Sequence, residues 1–340
     1  ATAMRHQPHL LSYTLPCFQI LDHMDRQSLE TVMNLAGEER FRQKAMRFQA
    51  QIARLTQKEE AGQVLFRGIM RALGYIKNTK PFEDLADRIP LGFIESKPGL
   101  SLKQALLLGA AGLLPSQRRG GPARESIMSQ SQQNEIRQLE QLWRSSGGKI
   151  RSMRESDWNL SRIYPNNSPV RRIVGQSNLL ERYREEGLLP GILRLVKEAP
   201  SLKRYRALED GLIVTGDGLR QGHSNFGVGA KTKGTALLGA GKAGEIIANV
   251  VLPFASSWGE ATNQPVLTEN AIDFYRSYPK LADNCLTQHM KRQLGLEESS
   301  SLTACHQQGL IHIFNSYCRE GRCAQCPLVE QAGPWHSDRL

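Results

Sequence analysis

The sequence predicts a mainly α-helical protein: an irregular bundle of many helices in two lobes, with low strand content. Apolar residues recur at helical spacing through most of the chain, and no convincing alternation of apolar and polar residues marks a strand. Prolines and glycines stand where such helices would begin and end. With 340 residues and 40% hydrophobic side chains, the chain can bury a substantial core.

The first lobe is predicted to span residues 1–114. An amphipathic helix covers residues 41–55, and a second runs from 58 to 73, where Gly74 ends it. A short helix begins at Pro81, and Ser101 is expected to cap the last helix of the lobe. The first two helices should form a hairpin.

Residues 115–133 are rich in Ser, Gln, Gly and Arg and are predicted to be an exposed linker. The second lobe then covers residues 134–340. Ser168 and Pro169 mark the start of a helix, and Pro190 starts the next one. Further helical segments are expected at 135–143, 269–278, 282–294 and 302–317, and an apolar run covers 246–254.

Three cysteines lie within nine residues near the C-terminus, as Cys318-x4-Cys323-x2-Cys326. Two thiolates separated by two residues can bind one metal centre from a tight turn, and the third follows a helix end. A zinc ribbon would need a second close pair, so the spacing favours an iron–sulfur cluster of the four-iron type (4Fe-4S) over zinc. The alternative is that these are buried thiols without metal.

Spacing alone does not decide which residue is the fourth ligand. Cys305 lies about 20 Å from Cys318 along a predicted helix, too far for one cluster. Cys285 and Cys17 both remain possible. Four histidines are nearby alternatives, although a lone histidine is more often a structural side chain: His289, His306, His312 and His336.

The chain carries 44 basic and 33 acidic residues, a net charge of +11, which favours a polyanionic partner. Residues 144–172, the basic segment, hold seven basic residues against two acidic ones. Interleaved aromatic residues suit stacked bases beside phosphates. The alternative is an ordinary solvated surface. The predicted nucleic-acid-binding residues are Arg144, Lys149, Arg151, Arg154, Trp158, Arg162, Arg171 and Arg172.

The sequence lacks the motifs that would predict several classes of function. A glycine-rich stretch at 239–244 formally matches a dinucleotide-binding pattern, but its flanks do not predict the strand that this motif requires. No Ser-His-Asp arrangement or carboxylate pair predicts an active site. No apolar run approaches the about 20 residues of a membrane helix, so we expect a cytoplasmic protein without a membrane association.

Three segments carry a family resemblance: residues 71–82, 249–254 and 309–326. They resemble an uncharacterised bacterial family known only as a domain of unknown function. In that family a segment similar to Leu15-Pro16-Cys17 recurs, which favours Cys17 over Cys285 as the fourth ligand. The resemblance also implies a preceding domain with Gly-Pro-Asp-Phe and Gly-Asp-Val-Glu-Ile-His signatures, similar to a restriction-endonuclease-like metal site. Neither signature occurs in this sequence.

Two functional hypotheses follow. The first is a nucleic-acid-binding helical module of a nuclease-like protein, with a cluster held by Cys17, Cys318, Cys323 and Cys326. The second is a non-catalytic helical scaffold or partner-binding protein with structural zinc. Any nuclease-like activity would require the domain that this sequence lacks.

Overall fold

The computed structural model describes Cys17 and residues 24–57, 60–119, 130–161, 167–198, 204–215, 236–296 and 302–332. Most of these residues are helical. Within these ranges, extended pairing is limited to two isolated bridges, Val214 with Leu238 and Pro279 with Thr303. The predicted mainly α-helical fold is confirmed.

The helices of the first half are short except for the first, which has 27 residues. They are α1 (Arg26–Ile52), α2 (Ala61–Leu73), α3 (Thr79–Arg88), α4 (Leu91–Glu95), α5 (Leu100–Ala110), α6 (Gln130–Ser146) and α7 (Pro169–Arg182).

The second half continues with helices of similar length, one of which is interrupted by a π-helical turn. They are α8 (Leu188–Lys197), α9 (Arg204–Leu212), α10 (Ala240–Ile246), the π turn (Ile247–Val251), α11 (Leu252–Ala261), α12 (Pro265–Ser277), α13 (Cys285–Gln293), α14 (Ala304–Ser316) and α15 (Pro327–Gln331).

Local sequence explains several helix starts. The Asp25 carboxylate accepts a hydrogen bond from the Ser28 backbone N–H at 2.9 Å, which caps α1. Ser168 precedes Pro169 at the start of α7, as predicted. The predicted cap at Ser101 is wrong, because α5 begins one residue earlier and Gly99 occupies the cap position with a φ of 75°. Glycine adopts this left-handed conformation without a steric cost.

Most apolar side chains form one buried cluster, here called the main core. It includes residues on both sides of the predicted linker, since α5 packs against α6 and α7. The hydrophobic interior therefore does not divide at 115–133; Pro115 itself is buried, and residues 120–129 lie outside the described ranges. Representative members of the main core are Leu65, Leu107, Ile173, Ile192 and Phe254.

A second, smaller cluster lies at one end of α1 and is called the terminal core. It consists of Cys17, Leu29, Val32, Met33, Ala36, Met290, Leu294, Leu302, Leu310, Ile313, Phe314, Cys318, Cys326 and Leu328.

Helices α1 and α14 pack closely beside the boundary between the two cores. A Cβ atom on Gly37 would lie 2.3 Å from the Cys305 carbonyl oxygen, and one on Gly309 would lie 2.0 Å from the Met33 carbonyl oxygen. Only glycine fits at such distances. The two glycines therefore set how closely the helices approach.

Candidate functional site

The cysteine triad follows α14 in two consecutive 3-10 turns, Cys318–Glu320 and Cys323–Gln325. Between them the chain reverses at Gly321, whose φ of 66° favours glycine. The Cys326 N–H donates to the Cys323 carbonyl at 2.9 Å, and α15 then begins at Pro327. This compact path keeps the three cysteines near the end of α14.

The structure brings Cys17 to this triad. Cys17, Cys318 and Cys326 are buried in the terminal core, whereas Cys323 is half-buried beside it. Ionisation of the Cys318 thiol is opposed by the charges that Cys17, Cys323 and Cys326 would carry, so the four sulfur atoms are electrostatic neighbours. The four predicted ligands thus lie in or beside the terminal core.

The other two cysteines lie elsewhere. Cys285 is exposed at the start of α13, and the charges that raise the pKa of Cys17 come from Cys326 and Cys323, not from Cys285. Cys305 is buried in the main core, and its thiol donates toward the Asn34 carbonyl at 3.7 Å. An intact α14 separates Cys305 from Cys318.

Burial makes the thiols of this site weak acids. It raises the pKa of Cys17 to about 11 and that of Cys318 to about 12, with smaller contributions from the neighbouring cysteines. Burial also raises the pKa of Cys326, although the backbone N–H groups of Leu328 and Val329 favour its thiolate. A bound soft metal would supply the positive charge that converts such thiols to thiolates.

The donor set fits a sulfur-ligated metal centre, because all four thiols are free and three are buried. Within the described ranges, however, no three Cys, His, Asp or Glu side chains stand close enough to hold a metal ion as they are. The four cysteines are neighbours rather than a closed cage.

Two of the alternative histidine ligands have structural contacts. The His289 ring packs edge-on against Phe314 at a centroid distance of 5.7 Å, and His306 Nδ1 accepts a hydrogen bond from the Thr303 N–H at 3.2 Å. His312 is buried in α14, and His336 lies outside the described residues.

The basic segment divides into an exposed and a buried part. Its exposed part, here called the basic loop, covers residues 144–154 and leads from the end of α6 to the turn at Glu155–Asp157. The cation Arg162 lies outside the described residues. The exposed predicted side chains are Arg144, Lys149, Arg151 and Arg154.

Buried contacts hold the basic loop in place. The Met153 N–H donates to the Ala110 carbonyl at 2.7 Å, at the end of α5. Gly112 has a φ of 68°, and a Cβ there would lie 2.1 Å from the Met153 carbonyl oxygen. The exposed Arg88 donates to the Arg151 carbonyl at 2.9 Å and adds a fifth cation to this surface.

Three predicted nucleic-acid contacts are corrected, because their side chains lie in the interior. Trp158 is 5% exposed; its indole N–H donates to the Ala111 carbonyl at 2.8 Å, and its ring packs edge-on against Phe82. Arg171 and Arg172 are 1% and 6% exposed. They donate to the carbonyls of Ala236 and Leu237 at 3.0 Å. None of the three presents a surface to phosphates or bases.

Lys44 lies in the segment predicted as an amphipathic helix at 41–55 and is not among the predicted site residues. The side chain is half-buried and its ammonium faces α14 and the π turn. A signal was available: Arg40, Lys44 and Arg47 follow each other at spacings of four and three, so they share one helix face.

The comparisons with known proteins identify a family. A family model described as "Protein of unknown function (DUF2851)" matches residues 3–284. The chain belongs to this family. The predicted resemblance to a family of unknown function is thereby confirmed, and the matched region contains Cys17 but ends before the cysteine triad.

No curated protein and no solved structure matches the chain. Among the described helices, none combines the length and apolar character needed to cross a membrane.

Proposed function

We propose that this chain is a nucleic-acid-binding helical module in which Cys17, Cys318, Cys323 and Cys326 hold an iron–sulfur cluster. The observation that carries the proposal is the burial of Cys17 with Cys318 and Cys326 in the terminal core, with Cys323 beside them. A motif of three cysteines and a thiol distant in sequence are therefore neighbours. Zinc on the same four thiols is the alternative outcome.

The cluster would act mainly as a cross-link. Iron–sulfur centres take thiolate ligands, and a ligand set that exists only in the folded chain makes metal binding part of the folding free energy. Cys17 and Cys318 would connect segments that are far apart in sequence. The N–H groups of Leu328 and Val329 would stabilise the Cys326 thiolate.

The basic loop supports the nucleic-acid part of the proposal. Its four exposed cations lie on a loop that is anchored by buried backbone contacts, and Arg88 at the end of α3 lies beside it. Positive charges held outward on a rigid base suit contact with a phosphate backbone. With Trp158 in the core, this surface offers phosphate contacts without the predicted stacking residue.

A nuclease-like reaction would belong to a partner domain. The family resemblance implies such a domain with acidic metal-site signatures, and we propose that this helical module positions it on nucleic acid. A non-catalytic scaffold with structural zinc is the competing function, and the metal identity together with the binding assay separates the two.

The metal proposal is tested on protein purified without oxygen. We expect a brown protein with about four iron atoms per chain, the iron content of one cluster of the four-iron type. Cys17→Ser and Cys326→Ser should each abolish the visible absorbance. The matched control Cys285→Ser removes an exposed thiol and should keep it.

Two results would contradict this assignment. Colourless protein with one zinc per chain would replace the cluster by zinc and favour the scaffold. Retained colour in Cys17→Ser, together with loss in Cys285→Ser, would move the fourth ligand.

The nucleic-acid proposal is tested by the salt dependence of binding to duplex DNA. The logarithm of the association constant should fall with the logarithm of salt concentration, with a slope of about −0.9 per phosphate contacted. Replacing the four exposed cations of the basic loop by Ala should flatten that slope. The four changes are Arg144→Ala, Lys149→Ala, Arg151→Ala and Arg154→Ala.

A charge-matched control removes four exposed cations elsewhere and should leave the slope near its original value. It carries Arg54→Ala, Arg184→Ala, Lys197→Ala and Arg206→Ala, all at exposed positions. Equal slopes in the wild type and the basic-loop variant would assign binding to another surface. Absence of binding at low salt would remove the hypothesis.

A further inference from the structure

A cavity of about 430 Å³ lies between α1, α2 and the π turn, away from the cysteines and the basic loop. Its volume falls within the range of about 300–1,000 Å³ that small-molecule sites occupy. Four cations and one carboxylate line it: Lys44, Arg47, Arg67, Arg71 and Glu83.

Lys44 is the most unusual of these residues. Its ammonium donates to the side-chain carbonyls of Asn249 at 2.6 Å and Gln308 at 2.7 Å. Both partners are neutral. Gln308 also accepts from Arg40 at 2.8 Å, so one amide oxygen serves two cations.

The two charges that act on the pKa of Lys44 are both positive. Burial lowers the pKa of Lys44 well below its ordinary value, and the charges of Arg40 and Arg47 lower it further. Among the described residues, no carboxylate forms an ion pair with Lys44 or Arg47. A desolvated cation without a counterion is costly, and a bound anion would offset that cost.

Arg67 and Arg71 differ in that each has an acidic partner. Arg67 pairs with Asp87 at 3.4 Å, and Arg71 pairs with Glu83 at 3.0 Å. The anion position is therefore closer to Lys44 and Arg47, whose charges are uncompensated, and the two paired arginines form the opposite wall.

The π turn has a local cause in the sequence. Pro253 has no N–H to donate to the carbonyl four residues earlier, and its ring crowds that carbonyl, so the regular helical ladder breaks before it. Asn249 lies in the resulting turn, and its side-chain amide oxygen accepts the hydrogen bond from the Lys44 ammonium. Such turns inside helices are frequent at functional sites.

Tyr75 supplies a second conformational outlier on the same cavity. Its φ is 50°, a left-handed conformation that is costly for a bulky side chain. Arg172 donates to its hydroxyl at 3.0 Å, and the Lys242 ammonium lies 3.3 Å from its ring centre. These contacts hold the ring at the wall of the cavity.

The structure assigns this cavity as a binding site for a small phosphate ester that carries a ring. The phosphate would be bound by Lys44 and Arg47, and the organic part would lie against Phe48, Tyr75 and Val250. This site is independent of the proposed nucleic-acid surface and of the cysteine centre.

Isothermal titration of the full chain with AMP, adenosine and inorganic phosphate tests the assignment. We expect AMP to bind with a dissociation constant below about 1 mM. Adenosine, which lacks the anion, should not saturate, and inorganic phosphate should bind at least tenfold more weakly than AMP. Lys44→Met and Arg47→Gln should each weaken AMP binding by tenfold or more.

The stability of the variants and a control variant distinguish a loss of AMP binding from a loss of folding. Arg47 is exposed, so Arg47→Gln should fold normally, and Lys44→Met should raise or preserve the Tm because it removes a desolvated charge. Arg42→Gln removes an exposed cation of α1 outside the cavity and should change AMP affinity less than twofold.

Absence of AMP saturation would overturn the proposal, as would unchanged affinity in both Lys44→Met and Arg47→Gln. Phosphate binding as tight as AMP binding would overturn the ring part of the assignment. An equal loss in Arg42→Gln would show a non-specific charge effect and overturn the site.

Discussion

The main core and the terminal core contain different kinds of side chain. The main core is formed by aliphatic and aromatic side chains from helices along most of the described chain. The terminal core is much smaller, and three of its buried side chains are cysteines drawn from both ends of the described sequence. Small clusters bury too little apolar surface to be stable alone and commonly depend on a metal or disulfide. We therefore expect the terminal core to depend on its thiols in a way that the main core does not.

The largest expected effect is a difference between the two cores in how far their stability depends on metal. If the proposed cluster is bound, Cys326→Ser should abolish metal binding and remove hydrogen-exchange protection from residues 302–332, because the cluster would contribute directly to folding there. Leu107→Ala should destabilise the main core by about 2–5 kcal/mol and leave the metal content unchanged. Hydrogen exchange and metal analysis on the same samples measure both effects. Equal protection in Cys326→Ser and wild type would show that the terminal core is stable on packing alone.

The next effect tests the helix pair that passes beside both cores. Gly309→Ala places a methyl group where the Met33 carbonyl oxygen stands, so α1 and α14 must separate. We expect a loss of about 1–3 kcal/mol in the free energy of unfolding, the usual cost of overpacking. Urea denaturation measures this loss.

Gly241→Ala provides the matched control, because a Cβ at this exposed position of α10 meets no atom within 4 Å. Alanine should stabilise the helix there by about 0.4–1 kcal/mol. If Gly309→Ala and Gly241→Ala changed the free energy of unfolding alike, the close packing of α1 on α14 would not couple the two cores.

The smallest effect concerns the buried histidines of α14. Burial lowers the pKa values of His306 and His312 below the ordinary 6.5. Between 6.5 and those lower values the unfolded chain binds more protons than the folded chain, so stability should fall as the pH drops below 6.5. His312→Gln should reduce the slope of unfolding free energy against pH between about 7 and 5. An unchanged slope would exclude His312 as a source of acid sensitivity.

The helical fold could be predicted because helix patterns depend on nearby residues. The segment predicted as a helix at 58–73 lies largely within α2, and the Ser168–Pro169 start is where the sequence indicated. The single main core could not be predicted in the same way. Whether this core is continuous depends on how α5 packs against α6 and α7. The spacing of residues within one helix carries no information about that contact.

The candidate sites were likewise predictable only where they depend on residues that are close in sequence. The cysteine triad is visible in sequence because its members are close neighbours, whereas the inward direction of Arg171 and Arg172 depends on distant carbonyls at 236 and 237. A count of charges treats buried and exposed arginines alike. Lys44 was missed for the corresponding reason, since its amide partners come from residues 249 and 308.

The terminal core also has a consequence for the order of synthesis. About 300 residues lie between Cys17 and Cys318, which a ribosome making 5–20 residues per second adds in about 15–60 s. During that interval the apolar face of α1 that includes Met33 has no α14 to cover it. The nascent chain therefore carries an exposed hydrophobic stripe and an unpaired thiol until residues 304–318 have been synthesised, and chaperones have this interval in which to bind it.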